Sequence, residues 1–200
     1  MKLFYFPGAC SLGPHIVINE AGLEVALDKV SFAAERRTES GENYYEVTPQ
    51  GAVPVLQLDT GERLTEAQVI MQYLASLAPQ ANLAPAEGMA HWRLLETLNF
   101  IATELHKGAS PLFRNPAPEA RIGVVANLQN RYKLLAGKLG DKPYLLGDAF
   151  SIADAYAYVV LNWARTFDVA TPAPLPAYFE RIRARPGVQK TLREEGLPTA

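Results

Sequence analysis

The sequence predicts a two-domain protein, a small α/β domain followed by an all-helical one. Three observations carry that prediction. Strand and helix signals alternate over roughly the first 80 residues. The Pro-, Ala- and Gly-rich stretch PQANLAPAEG then breaks the pattern. Beyond it strand signals almost vanish, while amphipathic helical periodicity continues. The expected division is residues 1–78, a linker at 79–86 and a helical domain over 87–200.

LFYF is a short apolar run ended by PGAC and reads as the first strand. Leu12, Ile16, Val17 and Ala21 then fall on a helical stripe closed by Gly22, a residue suited to the left-handed cap. VALDKVSF reads as a second strand, and AAERRTESGENYYEVTPQG as an irregular polar stretch holding one helical turn. VPVLQLD and RLTE are two strands joined by a turn around Asp59–Gly61. TEAQVIMQYLASL follows as a helix, with Thr65 and Gln68 spaced as a capping box. In the second domain, MAHWRLLETLNFIATELHKGAS predicts one long helix with Leu94, Leu98, Ile101 and Leu105 on its buried stripe. A second helix is expected from Glu119 to Gly140. A third starts at SIAD, and a fourth is divided or kinked at Pro186.

Composition narrows the function. Nearly half of the 200 residues are hydrophobic, enough for a core without disulfides or metal. One cysteine cannot form an intramolecular bridge, and three histidines make no zinc pattern. A net charge of −2 with mixed signs gives no case for nucleic acid or an anionic membrane. MKLFYFPGAC lacks the apolar core of a signal peptide, and no run approaches a membrane span. The expectation is a cytoplasmic protein that needs no metal and has a small-molecule or protein partner.

Four features could carry chemistry. Cys10 precedes a helix, where the macrodipole and free N–H groups favour thiolate; a free cysteine is equally a small buried apolar residue. Position 13 is glycine, so there is no CxxC dithiol cycle. The Val53–Pro54 bond, if cis, leaves the backbone of Val53 open to an extended ligand; most X–Pro bonds are trans. The helix start at TEAQ suits a carboxylate, with Glu66 placed for an ammonium group, although a cap needs no ligand. Asn99, Thr103 and His106 share a helix face, with Trp92 two turns earlier; such faces are often only solvated.

Taken together, MKLFYFPGACSLGPHI, GAVPVL, TEAQVIMQYLA, LNFIATELHKG and YLLGDAFSIADAY resemble the cytosolic glutathione transferases, most closely the bacterial beta class. The resemblance runs nearly end to end. It implies a thioredoxin-like first domain on a helical-bundle second domain, a homodimer, and an active site in the cleft between domains. Cys10 matches the beta-class cysteine that faces the glutathione sulfur. Pro54 matches the family's cis-proline, with Val53 offering its backbone to the cysteinyl part. Glu66 and Ala67 match the pair holding the γ-glutamyl end, with alanine where many members have serine. Asn99, Thr103 and His106 match positions reaching the thiol and peptide, and Arg36 lies near a glycine-end contact. Ser151 and Asp154 match the family's N-capping box, with Phe150 as its staple.

The implied chemistry is conjugation of a glutathione thiolate to a small apolar electrophile. Thiol–disulfide exchange or peroxide reduction through Cys10 is the alternative use of the site. His106 is expected to orient or stabilise sulfur charge. Tyr5, Phe6, Phe113, Tyr156 and Trp163 are the candidate electrophile pocket, and are equally suited to a core. The competing class of function is a non-catalytic binding or assembly module of the same fold. Retention of Cys10, Val53–Pro54, Glu66, Asn99 and His106 favours the enzyme.

Overall fold

Residues 1–33 and 35–199 are described by the computed structural model. The chain forms two units, one built from Met1–Asn82 with the segment from Arg185 onward, the other from Leu83–Ala184. The expected boundaries put everything after residue 86 in one helical domain; in the structure the last helix belongs with the first unit.

The first unit is a four-stranded sheet with helices. Strand β1 (Lys2–Tyr5) pairs in parallel with β2 (Ala26–Lys29), and the helix α1 (Leu12–Ala21) crosses between them. β3 (Val55–Gln57) lies antiparallel to β1, and β4 (Arg63–Leu64) antiparallel to β3, giving the order β2-β1-β3-β4. The register Leu3↔Leu56 and Phe4↔Val55 puts one apolar pair on each face. Both faces are buried, which explains why LFYF reads as a continuous apolar run and not as an alternation. Phe4, Val30, Tyr44, Val47, Val53 and Val55 form the core on one side. α1 packs against both α3 (Ala67–Leu77) and α9 (Pro186–Glu194).

Gly22 closes α1 at φ 65, as its position predicts. The irregular stretch holds the single turn α2 (Tyr44–Val47), capped by Asn43, whose side chain accepts from the Tyr45 N–H. Residue 34, inside that stretch, lies outside the described residues. The Thr65–Gln68 capping box does not form. The chain enters α3 one residue later than expected, with Glu66 at the N-cap and at φ 66. Gln68 is then the second helical residue, too early to reach back to the cap.

In the second unit, α4 (Gly88–Phe100) does not continue as the single α-helix expected. It passes into a π-helical stretch at Ile101–His106, then a short α5 (Lys107–Ala109) and a 3₁₀ turn to Arg114. The predicted stripe survives, since Leu94, Leu98, Ile101 and Leu105 are all buried. α6 (Pro118–Leu139) starts on a proline, whose missing N–H is harmless at that position. α7 (Ile152–Thr166) is buried nearly all round and packs against α4, the π-helical stretch and α8 (Leu175–Arg183). The last predicted helix is divided at Pro186 into α8 and α9, one in each unit.

The α7 capping box forms as expected and extends further than a cap. Asp154 Oδ2 accepts from the Ser151 N–H at 2.8 Å and from its hydroxyl at 2.7 Å. Oδ1 accepts from the Leu145 N–H at 2.9 Å and the Tyr178 hydroxyl at 2.6 Å. One fully buried carboxylate thus joins the α7 start, the preceding loop and α8.

Candidate active site

The turn after β1 presents the lone cysteine. Ser11 closes that turn, its hydroxyl accepting from the Phe6 N–H and donating to the Phe6 carbonyl, both at 3.1 Å. Cys10 sits just outside α1, before the Ser11 cap, and its thiol donates to the Val53 carbonyl at 3.1 Å. The Val53–Pro54 peptide bond is cis, the geometry the resemblance implies. A second cis bond, Ala173–Pro174, was not expected.

The thiol is not activated in this arrangement. Burial pushes Cys10 from an ordinary 9.0 up to about 12, and the charge of Glu66 adds to the shift. The backbone N–H groups of Cys10 and Ser11 oppose it without cancelling it. Of the two readings that placement leaves open, the protonated thiol is the one favoured here: Cys10 lies before the first helical turn, and desolvation opposes its N–H donors.

Around Cys10 the first unit offers separate polar groups. The Val53 N–H has no hydrogen-bond partner among the described residues. The N–H groups of Ala67 and Gln68 open α3 without backbone acceptors, as a helix start dictates. The exposed Glu66 stands beside them, and its influence on the thiol shows that it is near Cys10. Tyr44, which the sequence reading passed over, is fully buried in the same neighbourhood and donates to the Ala52 carbonyl at 2.8 Å. Burial, then Cys10, raise its hydroxyl well above the usual range, while Arg36 opposes them.

Arg36 is committed locally. Its guanidinium donates to the Gly51 carbonyl and lies 4.5 Å from the Phe32 ring centre and 5.7 Å from that of Tyr45. Gly51, at φ 59, is required here, because a Cβ would come within 2.7 Å of Tyr45 and 2.8 Å of Arg36. Tyr5 is buried edge-on to His15, with ring centres 5.8 Å apart. Phe6 is partly exposed and meets Phe32 edge-to-face at 4.9 Å.

The other named residues lie in the second unit. Thr103 returns its hydroxyl to the Asn99 carbonyl at 3.0 Å, and both side chains are exposed. His106 ends the π-helical stretch and packs in an aromatic cluster. His106 Nδ1 is 2.6 Å from the Tyr156 hydroxyl, and its ring centre is 4.9 Å from that of Trp163. Phe113 packs edge-on to Trp163 at 5.0 Å and to Phe167 at 4.7 Å. Burial, then Lys107, lower His106 to about 4. The ring is therefore neutral near pH 7, and its Nε2 has no partner among the described residues.

Of the proposed pocket residues, Phe113 is exposed, while Tyr156 and Trp163 are almost wholly buried. The Tyr156 hydroxyl meets His106 Nδ1. Phe167 belongs to the cluster and was missed, although it lies one helical turn after Trp163. Among the described residues no three His, Cys, Asp or Glu side chains are grouped to hold a metal.

Residues 8–77 match the family model of the glutathione S-transferase N-terminal domain, and residues 100–186 that of its C-terminal domain. The chain is 43% identical to glutathione S-transferase GstA of Escherichia coli O157:H7, over 98% of this chain and 100% of that one. A sphingomonad glutathione S-transferase solved with glutathione superposes with a TM-score of 0.92 at 42% identity, covering 99% and 100% of the two chains. A bacterial beta-class glutathione S-transferase of Sphingomonas chungbukensis gives 0.91 at 40% identity, over 99% and 100%.

Proposed function

The chain belongs to the glutathione S-transferase family, and we propose that it is a beta-class member binding glutathione along Val53 and the start of α3, with Cys10 at the sulfur. It is a transferase, and its activity is conjugation of glutathione. The observation that carries the site assignment is the grouping of Cys10, the cis Val53–Pro54 bond and Glu66 in one unit. Each of these matches one part of the tripeptide. The unpartnered Val53 N–H suits an extended peptide backbone. The free N–H groups of Ala67 and Gln68 suit a carboxylate, and Glu66 suits the α-ammonium of a γ-glutamyl group. Arg36, Asn99 and Thr103 remain assigned to glutathione by family resemblance. Arg36 fits that role least directly, since its guanidinium already holds Gly51.

In the proposed conjugation, bound glutathione gives up its thiol proton to solvent water and the thiolate attacks an electrophilic carbon. A carbon–sulfur bond forms as a carbon–halogen bond breaks, and halide leaves. His106 is assigned to the sulfur by family resemblance; its ring is neutral, and Nε2 carries the proton when the Tyr156 hydroxyl donates to Nδ1. The aromatic cluster of Phe113, Trp163 and Phe167 in the second unit is assigned to the apolar electrophile. Thiol exchange is the second reading; it rests on the family match of the lone Cys10 and requires that the thiol first leave the Val53 carbonyl and lose its proton. There the Cys10 thiolate attacks a glutathione mixed disulfide, forming Cys10–S–S–glutathione and releasing the partner thiol. A second glutathione thiolate then releases oxidised glutathione.

The proposed setting is a cytoplasmic homodimer acting in detoxification. No helix among the described residues is long and apolar enough to cross a membrane. The purified protein is expected to be retained on immobilised glutathione and to conjugate a generic aryl halide. A folded dimer that does neither is the non-catalytic module instead.

A further inference from the structure

The first unit holds a histidine–carboxylate cluster for which the reaction has no evident use. His15, in α1, is 1% exposed, and each ring nitrogen faces a carboxylate from the end of the chain. Nδ1 lies 2.9 Å from Glu195 Oε1, and Nε2 lies 2.9 Å from Glu194 Oε2. Both contacts are hydrogen bonds to ionised carboxylates only when the ring carries both protons. Asn19 adds bonds to Glu194 Oε2 at 2.8 Å and to the Thr191 hydroxyl at 2.9 Å.

Glu195 reaches further than this cluster. Its side chain is fully buried, and its second oxygen, Oε2, accepts the Gly8 N–H at 2.8 Å. Gly8 is two residues before Cys10, at φ 71, in the turn that Ser11 closes from the other side. A residue near the C-terminus therefore grips the loop carrying the reactive thiol, and His15 holds that residue in place.

We propose that Glu195, held by His15, is a positioning residue for the reaction at Cys10, fixing from the C-cap of α9 the loop that sets the thiol on the Val53 carbonyl. This assignment rests on the reading of Cys10 as the thiol of the site. Hydrophobic docking of α9 alone needs no buried carboxylate, and removing one partner of such a cluster leaves the others unpaired. The bond to Gly8 is what gives the carboxylate an effect beyond stability.

The test uses the chain's single cysteine, so alkylation by iodoacetamide reports Cys10 alone. In Glu195→Gln and Glu195→Ala the loop loosens, and Cys10 gains water while losing its acceptor. The alkylation midpoint is expected to fall by at least one pH unit, about a tenfold faster reaction at fixed pH. The control is Arg185→Gln, which breaks the pair with Glu20 at the other end of α1. It is expected to lower the Tm and leave the Cys10 rate as in wild type. Equal Tm losses in all three variants with an unchanged Cys10 rate would overturn the proposal. Should the Glu195 variants not fold, hydrogen exchange of wild-type Gly8 decides. Exchange in step with the α9 amides supports the link, and free-loop exchange overturns it. Neither readout needs glutathione, so failure here is separate from failure to bind or conjugate it.

Discussion

The Cys10 thiol donates to the carbonyl of Val53, 3.1 Å away, across 43 residues of sequence. That carbonyl begins the cis peptide bond to Pro54, so the thiol and the cis-proline turn are one local structure. In this state the sulfur is a donor, and burial holds its proton up to about 12. Alkylation of the free protein is therefore expected to be slow at pH 8, with a midpoint well above that of an ordinary cysteine. A rate profile with its midpoint at or below 8 would show that the buried thiol is not the resting form.

Glu66 occupies φ 66, where a side chain is disfavoured by about 1–2 kcal/mol. Nothing in the α3 cap demands a carboxylate there, since its side chain makes no cap hydrogen bond. The strain is accounted for if Glu66 is kept for the ammonium of glutathione. Glu66→Gly is expected to raise stability by up to about 1 kcal/mol, the greater freedom of unfolded glycine offsetting part of the relief. The same variant is expected to raise the KM for glutathione. Thermal unfolding and steady-state kinetics on one preparation check both; a variant less stable than wild type would remove the strain argument.

Ser151 and Asp154 share a capping box yet should differ sharply when truncated. Ser151→Ala removes one hydroxyl and its bond, expected to cost about 1 kcal/mol. Asp154→Ala strands the Leu145 and Ser151 N–H groups and the Tyr178 hydroxyl in a buried place. The expected loss is about 3–5 kcal/mol, from several unsatisfied buried groups. Denaturant unfolding measures the difference, and equal losses would mean that Asp154 acts only as a cap.

Much of this was legible because it is local. Gly22 stopping α1, Pro186 dividing the last helix and SIAD starting α7 each depend on neighbours a few residues away. The Thr65–Gln68 box was misread for the converse reason: pattern shows that a helix starts, not at which residue the chain turns into it. The π-helical stretch at Ile101–His106 leaves the Leu stripe buried, so apolar periodicity carries no sign of it. Cys10, Val53 and Glu66 became legible together only through the family pattern, each being ambiguous alone. The His15–Glu195–Gly8 chain was out of reach, because it joins residues 180 and 187 positions apart. KTLREEG reads equally well as a solvated helix end.

His106 gives the sharpest pH prediction. Folding lowers it from 6.5 to about 4, chiefly through burial beside Tyr156 and Trp163, with the charge of Lys107 adding to the shift. Between those values the unfolded chain binds a proton that the folded one refuses, so acid favours unfolding. The contribution of His106 is full above about pH 6.5, falls as pH drops, and levels off below about 4. Its size is at most about 3 kcal/mol, reduced by the ring's partial exposure. His106→Gln cannot titrate and is expected to show a flatter stability curve across this window, its difference from wild type narrowing toward acid. Unfolding free energies at pH 7, 5.5 and 4.5 measure that difference. A constant gap would mean that His106 binds its proton alike in the folded and unfolded states.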